Sequence, residues 1–350
     1  TTEVCNNKDD DCNGKIDETY PGKGQLCNKP ISTSCWAKKI YTCTKGVRRC
    51  TTPLHKEVSL RTFRNLTFTP DNKYVAHIRT YISPANRIEM LAVDRNSTLR
   101  LPAFKSKGSH SGLAIHPKGN MIVSCFSYNI VVLTKSSSRW TQTNWGSHRS
   151  CGHLRFDAQG KVLVSISSAR IILWDVATKK AIQTIIPTST QRPSGVAFHE
   201  NGKLLYTGAY NGDIHRWDLT TGKLLGKWQG HTKYATALAL SKDGKTLASS
   251  SYDDRKIKLW DATTGKLRHT ISAYNAYNSL VFSPDGKTLA SGGTSGLLLW
   301  DVATGKNINT IRPPNEKNVD AAFSHDGKYL LTATHSTVHY GQYVRLWTCP

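Results

Sequence analysis

A five-residue turn signature that occurs seven times constrains the fold of this sequence more than any other feature. The copies start 41 to 47 residues apart. Short runs of alternating apolar and polar residues precede and follow them, which is the pattern of a β-hairpin. A repeat of about 42 residues with several strands per unit is typical of blades arranged in a ring. The copies are TPDNK from Thr69, HPKGN from His116, DAQGK from Asp157, HENGK from His199, SKDGK from Ser241, SPDGK from Ser283 and SHDGK from Ser324.

A third predicted strand in each unit ends in Trp-Asp or in a degenerate form of it. The Trp-Asp pairs begin at Trp174, Trp217, Trp260 and Trp300. The last unit has Trp347 followed by Thr, and the two earliest units carry Val93 and Leu133 instead. Seven units of this kind predict an all-β fold, a seven-bladed β-propeller over residues 51–350.

These motifs resemble the WD40 family of β-propellers, in which Trp-Asp ends the third strand and a TGK turn leads to an outer strand. The resemblance covers about 300 residues and favours protein interaction as the function. The seventh unit has no room for an outer strand before Pro350. The segment VSLRTF, Val58 to Phe63, matches the outer-strand pattern, so we expect it to complete the last blade and remove the open edge.

In the WD40 family a His, a Ser or Thr, an Asp and the Trp of one blade often form a buried hydrogen-bonded tetrad. The fifth blade alone has the full set, with Ser249 or Ser250 as the hydroxyl. We assign a structural role to this set because buried polar groups need partners. Blade three has Ser168 where the Asp would stand. The predicted tetrad is His231, Ser250, Asp254 and Trp260.

Residues 1–50 form a separate small region with six of the nine cysteines. A domain below roughly 70 residues rarely holds itself together without disulfides or a metal. The pairing cannot be deduced from the sequence, and our preferred set joins Cys5 to Cys12. Cys125 and Cys151 fall on one face of adjacent blades, where a bridge could form, and Cys349 is left for Cys50 or for another subunit. The remaining N-terminal cysteines, Cys27, Cys35, Cys43 and Cys50, then pair among themselves.

The same region contains a candidate calcium loop. Oxygen-bearing side chains alternate along it, Gly14 allows a sharp turn, and Tyr20 stands where a calcium loop usually has Glu. Carboxylates and an amide suit a hard cation, so calcium is the predicted cofactor. The alternative is an acidic turn without an ion. The predicted ligands are Asp9, Asp11, Asn13, Lys15 through its carbonyl, Asp17 and Glu18.

Residues 4–50 also resemble the Cys-rich metal-binding module (MopE-like) of many exported bacterial proteins. The resemblance rests on VCNNKDDDCNGKIDE, PGKGQLC, SCWAKKIYTC and GVRRC. It implies a calcium-type site and export. Dense cysteines indicate an oxidising compartment, and no signal peptide precedes Thr1. We therefore expect a mature bacterial chain that is extracellular, at the cell surface or periplasmic. No apolar run is long enough for a membrane helix.

The chain carries 47 Lys and Arg against 24 Asp and Glu, a formal charge of +23, of which +20 falls on residues 51–350. Lysines recur in the two kinds of turn that share one face of a WD40-like disc. Such a face should attract polyanions, with affinity that falls as salt rises. The alternative is that these are hydrophilic turns that keep the surface soluble. The predicted anion-binding lysines are Lys73, Lys161, Lys203, Lys245, Lys287, Lys328, Lys223, Lys266 and Lys306, and Lys118, Lys135, Lys179 and Lys180 occupy similar turns.

Two classes of function follow. The first is a non-enzymatic exported scaffold that binds other surface or extracellular proteins, copies of itself in a filament or surface layer, or an acidic polysaccharide; export disfavours nucleic acid. The second is an enzyme or ligand-binding propeller that uses the central channel. Convergence of carboxylates, His and aromatics at one channel mouth would favour it. His148, Cys151 and His153 have a spacing that could hold a transition metal, although a surface loop with a bridged Cys is the favoured interpretation.

Overall fold

The computed structural model describes residues 52–60, 63–79, 87–93, 98–101, 110–126, 129–137, 139–149, 151–167, 169–188, 191–273, 279–294, 296–311, 316–336 and 342–348. The Cys-rich region, its calcium loop and Cys349 lie outside these residues, so their roles stay predictions. The described part of the chain forms seven four-stranded antiparallel sheets and no α-helix. The all-β, seven-bladed propeller is therefore confirmed.

Each blade contributes four strands from the central channel outward. The inner strands are β2 (Phe63–Phe68), β6 (His110–Ile115), β10 (His153–Phe156), β14 (Pro193–Phe198), β18 (Ala237–Leu240), β22 (Ser279–Phe282) and β26 (Glu316–Phe323). The second strands are β3 (Tyr74–Arg79), β7 (Met121–Phe126), β11 (Val162–Ile166), β15 (Leu204–Ala209), β19 (Thr246–Ser251), β23 (Thr288–Gly293) and β27 (Tyr329–Ser336). The third strands are β4 (Arg87–Ala92), β8 (Asn129–Ser136), β12 (Ile171–Asp175), β16 (Asp213–Asp218), β20 (Lys256–Asp261), β24 (Gly296–Asp301) and β28 (Gln342–Thr348). The outer strands are β5 (Thr98–Arg100), β9 (Arg139–Ser147), β13 (Ala181–Ile185), β17 (Leu224–Gln229), β21 (Leu267–Ser272), β25 (Asn307–Ile311) and, for blade seven, β1 (Thr52–Leu60).

The repeated signature forms the turn between the inner and second strands, here called the inner turn. Its fourth residue has a left-handed backbone, which glycine adopts without steric cost and asparagine tolerates. Glycine fills this position in blades two to seven with φ between 70° and 72°, and Asn72 fills it in blade one with φ 58°. The seven hairpins therefore share one geometry, which aligns equivalent residues around the channel.

The hydrophobic core is divided among the seven contacts between neighbouring blades. An apolar cluster fills each contact. The cluster between blades seven and one joins Phe68 and Val75 to Leu331 and Val344. Because every sheet packs on both neighbours, the ring is continuous.

Strand β1 closes the ring. It pairs antiparallel with β28, from Thr52 opposite Thr348 to Leu60 opposite Gln342, with a register shift between Leu54 and Glu57. The closure predicted from the sequence is therefore present. The strand begins earlier than predicted, and Phe63 belongs to β2 instead.

Gly212 lies in the turn between β15 and β16, where φ is 87°. A Cβ atom at this residue would lie 2.1 Å from the carbonyl oxygen of His231. We expect Gly212→Ala to destabilise the protein by about 2 to 3 kcal/mol, because backbone strain and a backbone clash add. Gly119→Ala is the matched control, since φ is 70° and nothing lies within 4 Å of the added atom. Urea unfolding measures both, and equal losses would contradict the clash.

Candidate functional site

Blades three to seven share a buried hydrogen bond from the third-strand tryptophan to the second strand. In each case the indole N–H donates to a Ser or Thr hydroxyl at 2.7 to 2.9 Å. Burial of these groups makes the bond important, because an unpartnered indole N–H is costly in an apolar site. The pairs are Trp174 with Ser165, Trp217 with Thr207, Trp260 with Ser249, Trp300 with Ser291, and Trp347 with Thr332.

In blade five this bond extends into the predicted tetrad. Ser249 accepts from Trp260 and lies 2.8 Å from His231 Nε2, and His231 Nδ1 lies 2.9 Å from an Asp254 carboxylate oxygen. The hydroxyl is that of Ser249, so the assignment of Ser250 is wrong. Neighbouring residues of a strand point to opposite faces, and only Ser249 faces the indole.

Burial of the His231 ring lowers the pKa of this imidazole to about 4; the Asp254 hydrogen bond opposes the shift, and the charge of Lys258 adds to it. His231 is therefore neutral near pH 7. Nδ1–H then donates to Asp254, and Nε2 accepts the Ser249 hydroxyl proton. Every polar group of the network has a partner, which is the arrangement of a structural site.

Blade three contains a related network that the sequence did not reveal. His148 Nδ1 lies 2.7 Å from the Ser165 hydroxyl, which also accepts from Trp174, and His148 Nε2 lies 3.0 Å from the Ser167 hydroxyl. Ser167 thus takes the place that the sequence analysis gave to Ser168. Burial, followed by the charge of Arg170, lowers the pKa of His148 to about 4.

The suggested transition-metal site is not formed. His148 is occupied by these serines, Cys151 is joined to Cys125 by a disulfide between blades two and three, and His153 faces the channel. Among the described residues, no group of three or more His, Cys, Asp or Glu side chains could hold a metal ion.

The predicted basic face is present in the described blades. Residues that follow the third strand donate backbone hydrogen bonds to inner-turn lysines, as Val176 does to Lys161 and Ala262 to Lys245, so both sets of turns lie at one end of the disc. We call this end the lysine face. All of its predicted lysines are exposed, and of these described lysines only Lys328 has an ion pair within 4 Å, to Asp326.

The acidic residues of the inner turns are engaged in the turns themselves. The carboxylates of Asp71, Asp243, Asp285 and Asp326 each accept a 2.6 Å hydrogen bond from the first Ser or Thr of the turn. They also accept from the backbone N–H of the following lysine. These fixed carboxylates reduce the positive field, whereas the lysine side chains extend into solvent.

A cavity of about 660 Å³ occupies the central channel and is lined by the inner strands of all seven blades. Asp320, four residues before the inner turn of blade seven, lines this cavity and accepts hydrogen bonds from the Ser279 hydroxyl and the Ala321 N–H. Burial raises the pKa of Asp320, and these hydrogen bonds oppose the rise. His153 occupies the equivalent position of β10, four residues before its inner turn.

Charged residues converge where the channel opens on the lysine face. Arg155, Glu200, Lys242 and His325 all line this part of the cavity. The combination is one carboxylate, one imidazole and two cations. Phe68, Phe198, Phe282 and Phe323 also line the channel, and Phe198 and Phe323 are partly exposed. The convergence of carboxylates, His and aromatics that would favour a channel-using enzyme or ligand-binding propeller is thus met in part, with one carboxylate among the described residues at this mouth.

The opposite face carries exposed tyrosines, which sequence analysis missed. Tyr210, Tyr234 and Tyr252 are 46%, 45% and 64% exposed, and the rings of Tyr210 and Tyr234 meet edge to face with centroids 5.3 Å apart. Backbone bonds from Tyr234 N–H to the Tyr210 carbonyl and from Ala235 N–H to the Ala209 carbonyl hold the two loops together. We call these three residues the tyrosine patch. The sequence does contain a signal for this patch, because these tyrosines stand in turns of the repeats that are otherwise polar.

Comparison with known proteins places WD40 repeats in this part of the propeller. The family model described as WD domain, G-beta repeat matches residues 180–218 and 222–261, and that of eukaryotic translation initiation factor eIF2A matches residues 250–350. The chain is thus a seven-bladed β-propeller with WD40 repeats. Proteins with such repeats generally bind other proteins.

Curated relatives include COMPASS component SWD3 of Saccharomyces cerevisiae, 28% identical over 59% of this chain and 66% of the relative. Autophagy-related protein 16 of Arabidopsis thaliana is 27% identical over 54% of this chain and 37% of the relative. Small ribosomal subunit protein RACK1y of Oryza sativa is 31% identical over 31% of this chain and 32% of the relative. The matches thus span about a third to two thirds of these relatives.

These relatives contradict the predicted export from a bacterium. They are eukaryotic proteins, and their names place them in assemblies and processes inside the cell, such as the small ribosomal subunit and autophagy. The prediction of export rested on cysteine density and on the resemblance of residues 4–50 to a module of exported bacterial proteins. Cysteine density by itself fits either a disulfide framework or metal and thiol chemistry until the compartment is known. The described part of the chain has no helix that could cross a membrane.

Proposed function

We propose that this protein is a non-enzymatic scaffold that binds protein partners through the tyrosine patch on blades four and five. The patch carries the proposal, because large aromatic side chains that combine apolar area with a hydroxyl are enriched in the energetic centres of protein interfaces. Its three residues lie in or beside the WD40-matched region.

The loops that carry the patch support it as a rigid surface. Ser251 donates to the Lys233 carbonyl, and Gly212 accepts from the backbone N–H groups of Gly230 and His231. A surface whose backbone is already fixed loses little conformational entropy on binding. The relatives agree with the proposal, since two are named as components of assemblies, COMPASS and the small ribosomal subunit.

The test is affinity capture from a eukaryotic cell extract with the full chain, followed by purification of the captured protein and titration. The variant replaces Tyr210, Tyr234 and Tyr252 by Ala. The control replaces Ile182, Ile186 and Leu225 by Ala, because these exposed apolar side chains lie on or beside outer strands. We expect a partner retained by the wild type and the control, with affinity at least about tenfold lower for the tyrosine variant.

Equal affinity for the wild type and the tyrosine variant would reject this patch as the docking surface. Light scattering on the same samples tests self-association, which the sequence suggested as one form of scaffold. Assemblies of the wild type alone, without any captured protein, would favour copies of the chain as the partner.

A further inference from the structure

The four charged residues at the channel opening, here called the mouth cluster, come from four different blades. Glu200, Lys242 and His325 are the second residues of the inner turns in blades four, five and seven. Arg155 lies in β10 of blade three, two residues before its inner turn. The equivalent turn residues of blades one, two and six are Pro70, Pro117 and Pro284, so the charges are not a general property of the repeat.

The members of the cluster act on one another electrostatically. Burial lowers the pKa of His325, the charges of Arg155 and Lys242 lower it further, and Glu200 and Asp326 oppose them. Burial lowers the pKa of the Arg155 guanidinium, and the charge of Glu200 opposes this shift. With His325 neutral, two cations and one carboxylate give the mouth a charge near +1.

The residues around the mouth cluster strengthen its positive potential on the outside and weaken it deeper in the channel. The lysine face surrounds the mouth with exposed ammonium groups, and their fields add at the mouth. Deeper in the channel, the carboxyl group of Asp320 repels anions when it is ionised, and burial raises its pKa. The mouth is therefore the more favourable position for an anionic group.

We propose that the mouth cluster binds a carboxylate of an acidic segment of a protein partner, with Arg155 and Lys242 as the residues that hold it. This inference rests on the proposed scaffold function. The planar guanidinium of Arg155 matches a carboxylate in a two-bond geometry. A net charge near +1 beside Glu200 suits a monoanionic carboxylate better than a dianionic phosphate.

The test is fluorescence anisotropy with the full chain and a fluorescein-labelled hexaglutamate peptide, with hexaglutamine as the uncharged probe. The mouth variant is Arg155→Gln with Lys242→Gln. The control, Lys161→Gln with Lys245→Gln, removes the same charge from inner-turn lysines outside the mouth. Circular dichroism checks that both variants fold. We expect the mouth variant to bind hexaglutamate at least about tenfold more weakly and the control to change less than about threefold.

Equal weakening in both variants would overturn the proposal, because it would show diffuse attraction to the whole lysine face. Tighter binding of an oligothymidylate, or displacement of the peptide by millimolar inorganic phosphate, would also overturn it in favour of a phosphate ligand. Absence of hexaglutamate binding to the wild type would also overturn the proposal. The tyrosine-patch variant should bind the peptide as the wild type does, so the two proposals can fail separately.

Discussion

Removal of β1 is expected to cause the largest loss of stability of any change considered for this protein. A chain that begins at Arg61 lacks the strand that pairs with β28 at seven positions. At about 0.5 to 1.5 kcal/mol of net stabilisation per hydrogen bond, the loss is about 5 kcal/mol, which is comparable with the whole stability of many domains. It also leaves β28 as an open edge, so we expect concentration-dependent aggregation.

Thermal unfolding and light scattering measure both effects. A synthetic peptide of residues 52–60 should restore part of the lost stability by binding to the native chain, and a scrambled peptide should not. A shortened chain that melts at the wild-type temperature and stays monomeric would show that β1 does not stabilise the ring.

Acid is expected to destabilise the protein in part through two of its buried imidazoles, those of His231 and His148. The pKa of His231 and of His148 is about 4 in the folded protein, against an ordinary value of 6.5. Between these values the unfolded chain binds more protons, so stability is fully present above about pH 6.5 and falls as the pH approaches 4. Each histidine should lower the free energy of unfolding by about 2 to 3 kcal/mol at pH 4.5 relative to neutral pH.

Urea unfolding at pH 7.5 and pH 4.5 measures this dependence. His231→Gln keeps one donor and one acceptor but does not titrate, so its pH dependence should be smaller by the share of one histidine. His269→Gln, on the outer strand β21, is the control and should keep the wild-type dependence. An unchanged slope for His231→Gln would show that His231 is not the acid-sensitive group.

The blades could be predicted from the sequence because their turns and strands are local. The signature at Ser241 or Ser283 contains its own left-handed glycine and its own hydroxyl-to-carboxylate hydrogen bond. The residues that form each turn therefore all lie within one short stretch of sequence, and the turn can be predicted from that stretch. The closing strand was also found, although its limits were not, because VSLRTF runs across the end of β1 and the start of β2.

The functional surfaces were harder to predict because they depend on distances between blades. Positions 249 and 250 are both serine, so the sequence alone does not distinguish them. Only the strand register determines which serine accepts the hydrogen bond from Trp260. Arg155 and His325 are 170 residues apart and meet only when the ring closes. The lysine face was predicted because its residues repeat with the blades, whereas the mouth cluster and the tyrosine patch are departures from the repeat.

The pairing of β1 with β28 also determines when the fold can be completed during synthesis. Of the strands that the structure describes, the one made first pairs with the one made last, Thr52 with Thr348. Contacts of such long sequence separation form slowly, and strand edges that wait for a partner are prone to association. Six blades can fold as the chain emerges from the ribosome, but the ring cannot close until β28 has also emerged. Newly made chains should therefore be most vulnerable at this junction, and most dependent on chaperones there.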